Sequence, residues 1–367
     1  MCRRALVLLP YRDSYFLRRY GFAVRDAQII YELQYQKHIN FSEIILVNRP
    51  VSVYERFSTK WKHAFWPGLH VIDTMSLDII GPLKKRAWTA KCYEKVFEKI
   101  VKQMIDKCFD EVFIVDFTPM AILPMVQLDR IKILYWYDMI DNFVKHNKYS
   151  VKEKELVREK YEYVKKNYHF VTGVSKEALQ QLGHCNSHTL TNGVFEIQQP
   201  IFNRDTPMYD FGFIGFVTDK FDIDFVVRLS ELGYKTIVYG KILDKKVEKS
   251  LKQLGVKIGG KFSYSEISSL MHQFKVGLLP YRADKSHDGS PLKLYEYLRH
   301  NRPCLTSIDY ELNNEFVINY NKGYVDRHLF EKMLNISGKI DISKSITEES
   351  FLRQKVSSII IKLLSSI

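Results

Sequence analysis

The sequence predicts an α/β protein of two doubly wound domains facing a cleft. Three observations carry this expectation. The chain has 367 residues, more than most single α/β layers hold, and 46% of them are hydrophobic, enough for two buried cores. Short apolar runs alternate with helical stretches along nearly its whole length, the pattern of parallel sheets covered by helices on both faces. Near the middle a polar stretch from Glu196 to Tyr209, holding Pro200 and Pro207, interrupts the alternation as a linker would.

In the first half, strands are expected at Ala5–Leu9, Ile44–Val47, Val112–Val115, Ile131–Tyr135, His169–Thr172 and Thr189–Leu190. The clearest helix between them, Ala87–Cys108, carries apolar residues at helical spacing. After the linker the scheme repeats, with strands at Phe211–Ile214, Thr236–Tyr239, Val256–Ile258, Val276–Leu279 and Pro303–Thr306. The expected organisation is a domain at 1–195, a linker at 196–209, a second domain at 210–346 and a closing helix at 347–367. In that helix Leu352, Val356, Ile360, Leu363 and Ile367 lie on or near one face, which suits packing on the protein better than lying on a membrane.

No apolar run approaches the roughly 18 to 20 residues of a spanning helix, so a cytoplasmic chain is expected. The formal charge is +13. Residues 1–100 carry 17 Lys and Arg against 9 Asp and Glu, whereas residues 101–200 carry 13 of each, which confines the first half's excess to its beginning. A basic face there attracts phosphates, anionic lipid headgroups or nucleic acid, and charge alone does not choose among them or against simple solvation. The five cysteines, Cys2, Cys92, Cys108, Cys185 and Cys304, are odd in number and scattered, which fits reduced thiols and no metal site.

Residues 286–298, SHDGSPLKLYEYL, follow an expected strand and the residues Pro280, Tyr281 and Arg282. Ser290 as N-cap followed by Pro291 is a helix-start signal, since proline's missing N–H would lack a partner there anyway. The free N–H groups of the first turn and the helix dipole make an anion site, which Gly289 opens to close approach and Lys293 supplements with a full charge. Glu296, one turn further on, offers two oxygens to both hydroxyls of a ribose, each charge-assisted bond worth roughly 1.5 to 3 kcal/mol. An ordinary capped helix explains the serine and proline equally well.

This segment resembles the C-terminal donor motif of the GT-B glycosyltransferases, whose two Rossmann-like domains hold a nucleotide diphosphate sugar. The resemblance implies that Pro291, Leu292 and Lys293 form the helix start, and that Asp288 and Glu296, with seven residues between them, stand for the family's paired acids. Asp288 is shorter than the usual glutamate. Upstream, 211–216 (FGFIGF) resembles the first strand and loop of a donor domain with Gly215 beside the sugar or pyrophosphate, and 237–241 (IVYGK) the next strand with its turn at Gly240. The segment 259–267, containing Phe262, resembles the one that receives the nucleotide base. The segments 171–175 (VTGVS) and 191–194 (TNGV) resemble the helix start and turn before the family's interdomain linker. A glycine after a strand is common, but matches in this order over about 130 residues reinforce one another.

The resemblance further implies that the first domain supplies the acceptor side. Its loop 136–143 (WYDMIDNF) resembles the acidic loop of bacterial exopolysaccharide transferases of the xanthan glucuronosyltransferase and teichuronic acid type. An inverting enzyme needs a carboxylate to remove the acceptor's proton, for which Asp141 is the first candidate and Asp138 the second, helix capping being the other reading. The loop after the first strand contains Arg12, Arg18, Arg19 and Arg25, suited to a lipid pyrophosphate or to the donor's phosphates, or to plain solvation. Trp61, Trp66 and Trp88 with Lys62, Lys84, Lys85 and Arg86 suit a membrane interface or a sugar platform, buried tryptophan being commoner. Asp222 and Asp224 spell an acidic pair that could hold a metal, but they sit at an expected helix start, which explains them better.

The expected function is therefore transfer of a sugar from a uridine diphosphate sugar to a lipid-linked glycan in bacterial surface polysaccharide synthesis. Neither cofactor nor catalytic metal is expected, and the chain would touch the inner membrane surface peripherally. A nucleotide-sugar epimerase of the same fold is the alternative. A nucleic-acid binder, suggested by the pI near 9.2 alone, ranks below both because no nucleic-acid module is present.

Overall fold

Every strand expected from the sequence forms, within a few residues, and all join parallel sheets whose interior runs are apolar because helices cover both faces. The computed structural model describes residues 2–53, 66, 68–78, 81–146, 148–197, 207–286, 289–322 and 327–366. The chain divides into two units, one of Met1–Thr191 with Lys355–Ile367 and one of Asn192–Gln354.

In the first unit the strands are β1 (Arg4–Leu9), β2 (Glu43–Val47), β3 (Val51–Ser52), β4 (His70–Ile72), β5 (Met75–Ser76), β6 (Glu111–Asp116), β7 (Lys132–Met139), β8 (Phe170–Gly173) and β9 (Ser187–Thr189). Seven of them form one sheet in the order β4-β2-β1-β6-β7-β8-β9, while β3 pairs with β5. The helices are α1 (Ser14–Tyr20), α2 (Arg25–Gln34), α3 (Glu94–Asp106), α4 (Val151–Asn167) and α5 (Lys176–Leu182). Strand order reverses between β1 and β6, which leaves a crevice at their carboxyl ends.

The helix expected at Ala87–Cys108 is shorter than its periodicity suggested. Residues Gly81–Ala90 wind as a 3-10 segment and the α-helix begins at Glu94. Asp78 ties down the start of that segment, accepting from the Gly81 N–H (2.6 Å) and the Trp88 indole N–H (3.1 Å). Further along, a buried ion pair joins α4 to the end of β6. Lys160 donates to Asp116 (2.5 Å), to the Ala121 carbonyl (2.5 Å) and to Tyr168 (3.0 Å).

The second unit contains β10 (Tyr209–Ile214), β11 (Thr236–Tyr239), β12 (Lys257–Gly260), β13 (Phe274–Leu279), β14 (Cys304–Thr306) and β15 (Val317–Asn319), in the order β12-β11-β10-β13-β14-β15. Its helices are α6 (Ile223–Glu231), α7 (Lys245–Gln253), α8 (Ile267–Met271), α9 (Leu292–Arg299) and α10 (Arg327–Ile336). Here the order reverses between β10 and β13.

Of the expected linker 196–209, residues 198–206 lie outside the described residues, and Tyr209 already belongs to β10. The closing helix α11 (Leu352–Ser365) belongs to the first unit from Lys355 onward. There Lys355 donates to Thr191 (2.6 Å) and Ser357 to Gln36 (3.0 Å), and Val356, Ile359, Ile360 and Leu363 are buried. Ile367 lies outside the described residues. Among the described residues no helix is long and apolar enough to cross a membrane.

Candidate functional site

At the carboxyl end of β10 the chain turns through Gly215 with φ +129°, and beside it the end of β11 turns through Gly240 with φ +124°. Side chains are excluded from both. A β-carbon on Gly240 would overlap the Gly215 carbonyl, and one on Gly215 would lie 2.5 Å from Lys293 Nζ. The Gly215 N–H donates to the Tyr239 carbonyl (2.9 Å), so the two turns brace each other.

Lys293 belongs to the first turn of α9, where the Leu292 and Lys293 N–H groups precede the helix's own ladder and the Leu294 N–H donates to the Pro291 carbonyl (3.0 Å). The helix starts later than expected. Pro291, at φ −70° and ψ 146°, is its N-cap residue and no side chain caps it. Ser290 is displaced from the cap because Pro291 itself is extended and not helical. Its carbonyl accepts from the Asn192 amide (2.7 Å), and its hydroxyl is buried without a hydrogen-bond partner. Gly289, just upstream, has φ +90°. Pro291 and Leu292 are half-buried, and Asp288 lies outside the described residues.

The Lys293 ammonium donates to the Tyr281 hydroxyl and stands over the Phe213 ring at 4.4 Å from its centre. Burial, helped by nearby Lys220, lowers its pKa to about 7. One turn on, Glu296 is 4% exposed. Tyr264 donates to its Oε1 (2.5 Å), which leaves Oε2, a buried oxygen without a hydrogen-bond partner, 3.6 Å from His300 Nδ1 and 3.8 Å from Arg299 Nη1. Burial raises the Glu296 pKa against the pull of Arg299 and the Tyr264 hydrogen bond. Of the two oxygens expected to face a ribose, Oε1 is already engaged by the tyrosine.

Tyr264 was missed in the sequence, where Phe262 drew the notice in the same segment. Phe262 is half-buried in the loop after β12. Arg282 is exposed and paired with Asp284 at 3.3 Å. Gly215, Gly240 and Lys293 are thus brought together, Glu296 follows on the same helix, and Arg282 is occupied at the surface.

In the first unit Asp138 is fully buried near the end of β7. Arg25 reaches it with Nη2 (3.1 Å) and Nε (3.3 Å), and Thr172 donates to it at 2.5 Å. Arg25 also donates to the Leu190 carbonyl (2.6 Å). Burial raises the Asp138 pKa, opposed by Arg25 and Thr172. This corrects two expectations: the second candidate base and one phosphate-binding arginine are joined to each other in a buried ion pair.

Asp141 is half-buried in the loop after β7 and accepts from the Asn142 N–H (2.8 Å). Arg18 and Arg19 are exposed in the last turn of α1, and Arg12 is exposed in the loop after β1. Trp66 and Trp88 are buried, the commoner of the two readings. Trp61 and Lys62 lie outside the described residues, as do the side chains of Lys84 and Lys85. Asp222 caps α6 and accepts from Tyr320 (2.9 Å). Among the described residues no group of three His, Cys, Asp or Glu could hold a metal.

No family model matches the sequence, and no curated protein matches it. Solved structures do. The whole chain is similar to the whole of HepE from Anabaena, solved in complex with UDP, with a TM-score of 0.60 and 11% identity. It is likewise similar over 100% of its length to 99% of the catalytic domain of starch synthase IV from Arabidopsis thaliana, solved with ADP and acarbose (TM-score 0.62, 10% identity). A third similarity covers 99% of the chain and 100% of the lipopolysaccharide outer core galactosyltransferase WaaB (TM-score 0.52, 13% identity). The fold is that of the GT-B glycosyltransferases.

Proposed function

We propose that this chain is a glycosyltransferase that moves a sugar from a nucleotide diphosphate sugar, of the uridine diphosphate class, to a glycan acceptor. One observation carries the reading. Lys293 and the leading N–H groups of α9 meet the bare backbone of Gly215, with Glu296 Oε2, which accepts no hydrogen bond, one turn away. That arrangement suits a ligand with a diphosphate next to a hydroxyl-bearing ring.

In this reading the α9 N–H groups and the Lys293 ammonium bind the diphosphate and stabilise the charge that develops on it as the bond to the sugar breaks. Glu296 orients the nucleoside by accepting from a ribose hydroxyl, and Tyr264 fixes the carboxylate for that purpose. Asp141 is the base that takes the acceptor hydroxyl's proton, and it is more open than Asp138. No metal is assigned a part. Similarity to HepE with UDP, and to WaaB of the lipopolysaccharide outer core, supports a uridine diphosphate donor and a surface glycan as acceptor. We read that acceptor as lipid-linked and met at the inner face of the membrane.

The test is mass spectrometry of a panel of nucleotide sugars incubated with the protein and a membrane lipid extract. A lipid-borne product heavier by one sugar supports the reading. Donor isomerised without any acceptor would favour an epimerase of the same fold, and unchanged donors throughout would sink both.

A further inference from the structure

The reversal of strand order between β1 and β6 creates a second crevice, wholly within the first unit. A cavity of about 250 Å³ lies there, lined by Pro10, Tyr11 and Arg12 after β1 and by Thr118 after β6. Three arginines, distant in sequence, converge on it: Arg12, Arg49 and Arg86. Each is braced over an aromatic ring. Arg12 stands 4.4 Å from the centre of Tyr11 and 5.2 Å from that of Phe16, Arg86 4.8 Å from Tyr149, and Arg49 5.4 Å from Trp88. Guanidinium groups braced in this way lose less freedom on binding, and their forked donors match the oxygens of a phosphate.

The charges do not cancel. Asp13 is the one carboxylate in the lining. Its Oδ1 caps α1 by accepting from the Phe16 N–H (3.0 Å), and its Oδ2 is 3.9 Å from Arg49. Arg86 is 3.8 Å from Glu153 and donates to the Lys148 carbonyl. Arg12 forms no ion pair among the described residues. The lining itself, three arginines against Asp13, keeps an excess of positive charge, which the buried Asp26 behind Arg12 reduces. The cavity falls below the roughly 300–1,000 Å³ of pockets that enclose whole drug-sized ligands, so it admits a phosphate with one sugar ring and not an entire nucleotide sugar.

We propose that this cavity is an anion site for a phosphate ester on the acceptor, with Arg12, Arg49 and Arg86 as its ligands. The inference rests on the glycosyl-transfer reading for the word acceptor, while the phosphate site itself stands on the cavity. The phosphate belongs either to a free sugar phosphate or to a lipid-linked one.

The experiment measures binding of glucose 1-phosphate to the full chain by phosphorus NMR, and of uridine diphosphate to the same samples by calorimetry. Arg12→Gln, Arg49→Gln and Arg86→Gln are compared with Arg158→Gln, which removes an equal charge from the exposed face of α4. Each of the three should weaken glucose 1-phosphate about tenfold, the loss of one charge-assisted contact, with uridine diphosphate affinity and the Arg158→Gln chain unchanged. If Arg49→Gln or Arg86→Gln fails to fold, Arg12→Gln decides, because that side chain is exposed and forms no ion pair among the described residues.

Phosphatidylcholine vesicles with and without phosphatidic acid separate the sources. If the same variants also lose the phosphatidic acid vesicles, the phosphate is lipid-linked. If they lose glucose 1-phosphate alone, it is a free sugar phosphate, and either result supports the site. No binding by the unaltered chain, equal loss in Arg158→Gln, or displacement of glucose 1-phosphate by uridine diphosphate overturns the proposal. Binding of glucose 1-phosphate without binding of any nucleoside diphosphate would instead overturn the proposed function and leave this site standing.

Discussion

Lys293 fills the space that a side chain at Gly215 would need, its Nζ lying 2.5 Å from the position of a β-carbon there. The lysine comes from the first turn of α9 and the glycine from the end of β10, so the pairing exists only in the folded unit. It presses a cation against bare backbone, next to N–H dipoles of the same sign. An anion is the natural complement of that combination.

Replacing Gly215 with alanine should therefore harm both stability and ligand binding. A side chain at φ +129° costs about 1–3 kcal/mol, and the β-carbon must push Lys293 aside. Thermal unfolding with and without uridine diphosphate checks this. An alanine variant with unaltered melting temperature and unaltered nucleotide affinity would refute the assignment.

The lowered pKa of Lys293 gives opposite pH trends for stability and for binding. Between about 7, its value in the folded protein, and 10.5, its ordinary one, the unfolded chain holds one more proton. This group's contribution to stability consequently rises with pH across that window. A diphosphate, in contrast, attracts the charged form, so affinity should be highest below about 7 and fall as pH rises through it. Calorimetry of uridine diphosphate in buffers of different ionisation enthalpy should reveal proton uptake near neutral pH. Binding without proton uptake would remove Lys293 from the contact.

Asp138 and Asp141 should respond differently to conversion to asparagine. Asp138→Asn leaves Arg25 buried without its counter-charge and should cost about 3–5 kcal/mol in chemical denaturation. Asp141→Asn should leave stability within about 0.5 kcal/mol and reduce transfer at least about a hundredfold, as loss of a general base does. Full transfer activity in a folded Asp141→Asn chain would exclude it as the base.

Lys160→Met should be strongly destabilising. It leaves the Asp116 carboxylate buried without its cation beneath the end of β6, a loss of about 3–5 kcal/mol. The double change Lys160→Met with Asp116→Asn should recover part of that stability. A single variant as stable as the parent would show that the pair contributes nothing.

Strand positions were legible because parallel strands buried on both faces are written as uninterrupted apolar runs such as 5–9 and 112–115. The short strands β3, β4, β5 and β15 were not. Glycines 215 and 240 could be picked out as turns, but the reason for Gly215, its contact with Lys293, spans 78 positions of sequence and has no local signature. The same holds for Arg25, which reads as a loop cation and is buried because Asp138, on a distant strand, is its partner. Tyr264 and Arg49 escaped for that reason as well. Their partners, Glu296 and a cavity after β1, are assembled only by the fold.

Nucleoside diphosphate binding at Lys293 and Glu296 is measured by titration of uridine diphosphate into the intact chain and its Lys293→Ala and Glu296→Gln variants. Binding should be saturable, with a stabilisation of about 2.7 kcal/mol at a hundredfold excess over Kd, and markedly weakened in both variants but not in Lys275→Gln, whose lysine pairs with Asp210 at the amino end of neighbouring β10. No stabilisation by any nucleoside diphosphate, or equal affinity in all four chains, would contradict it.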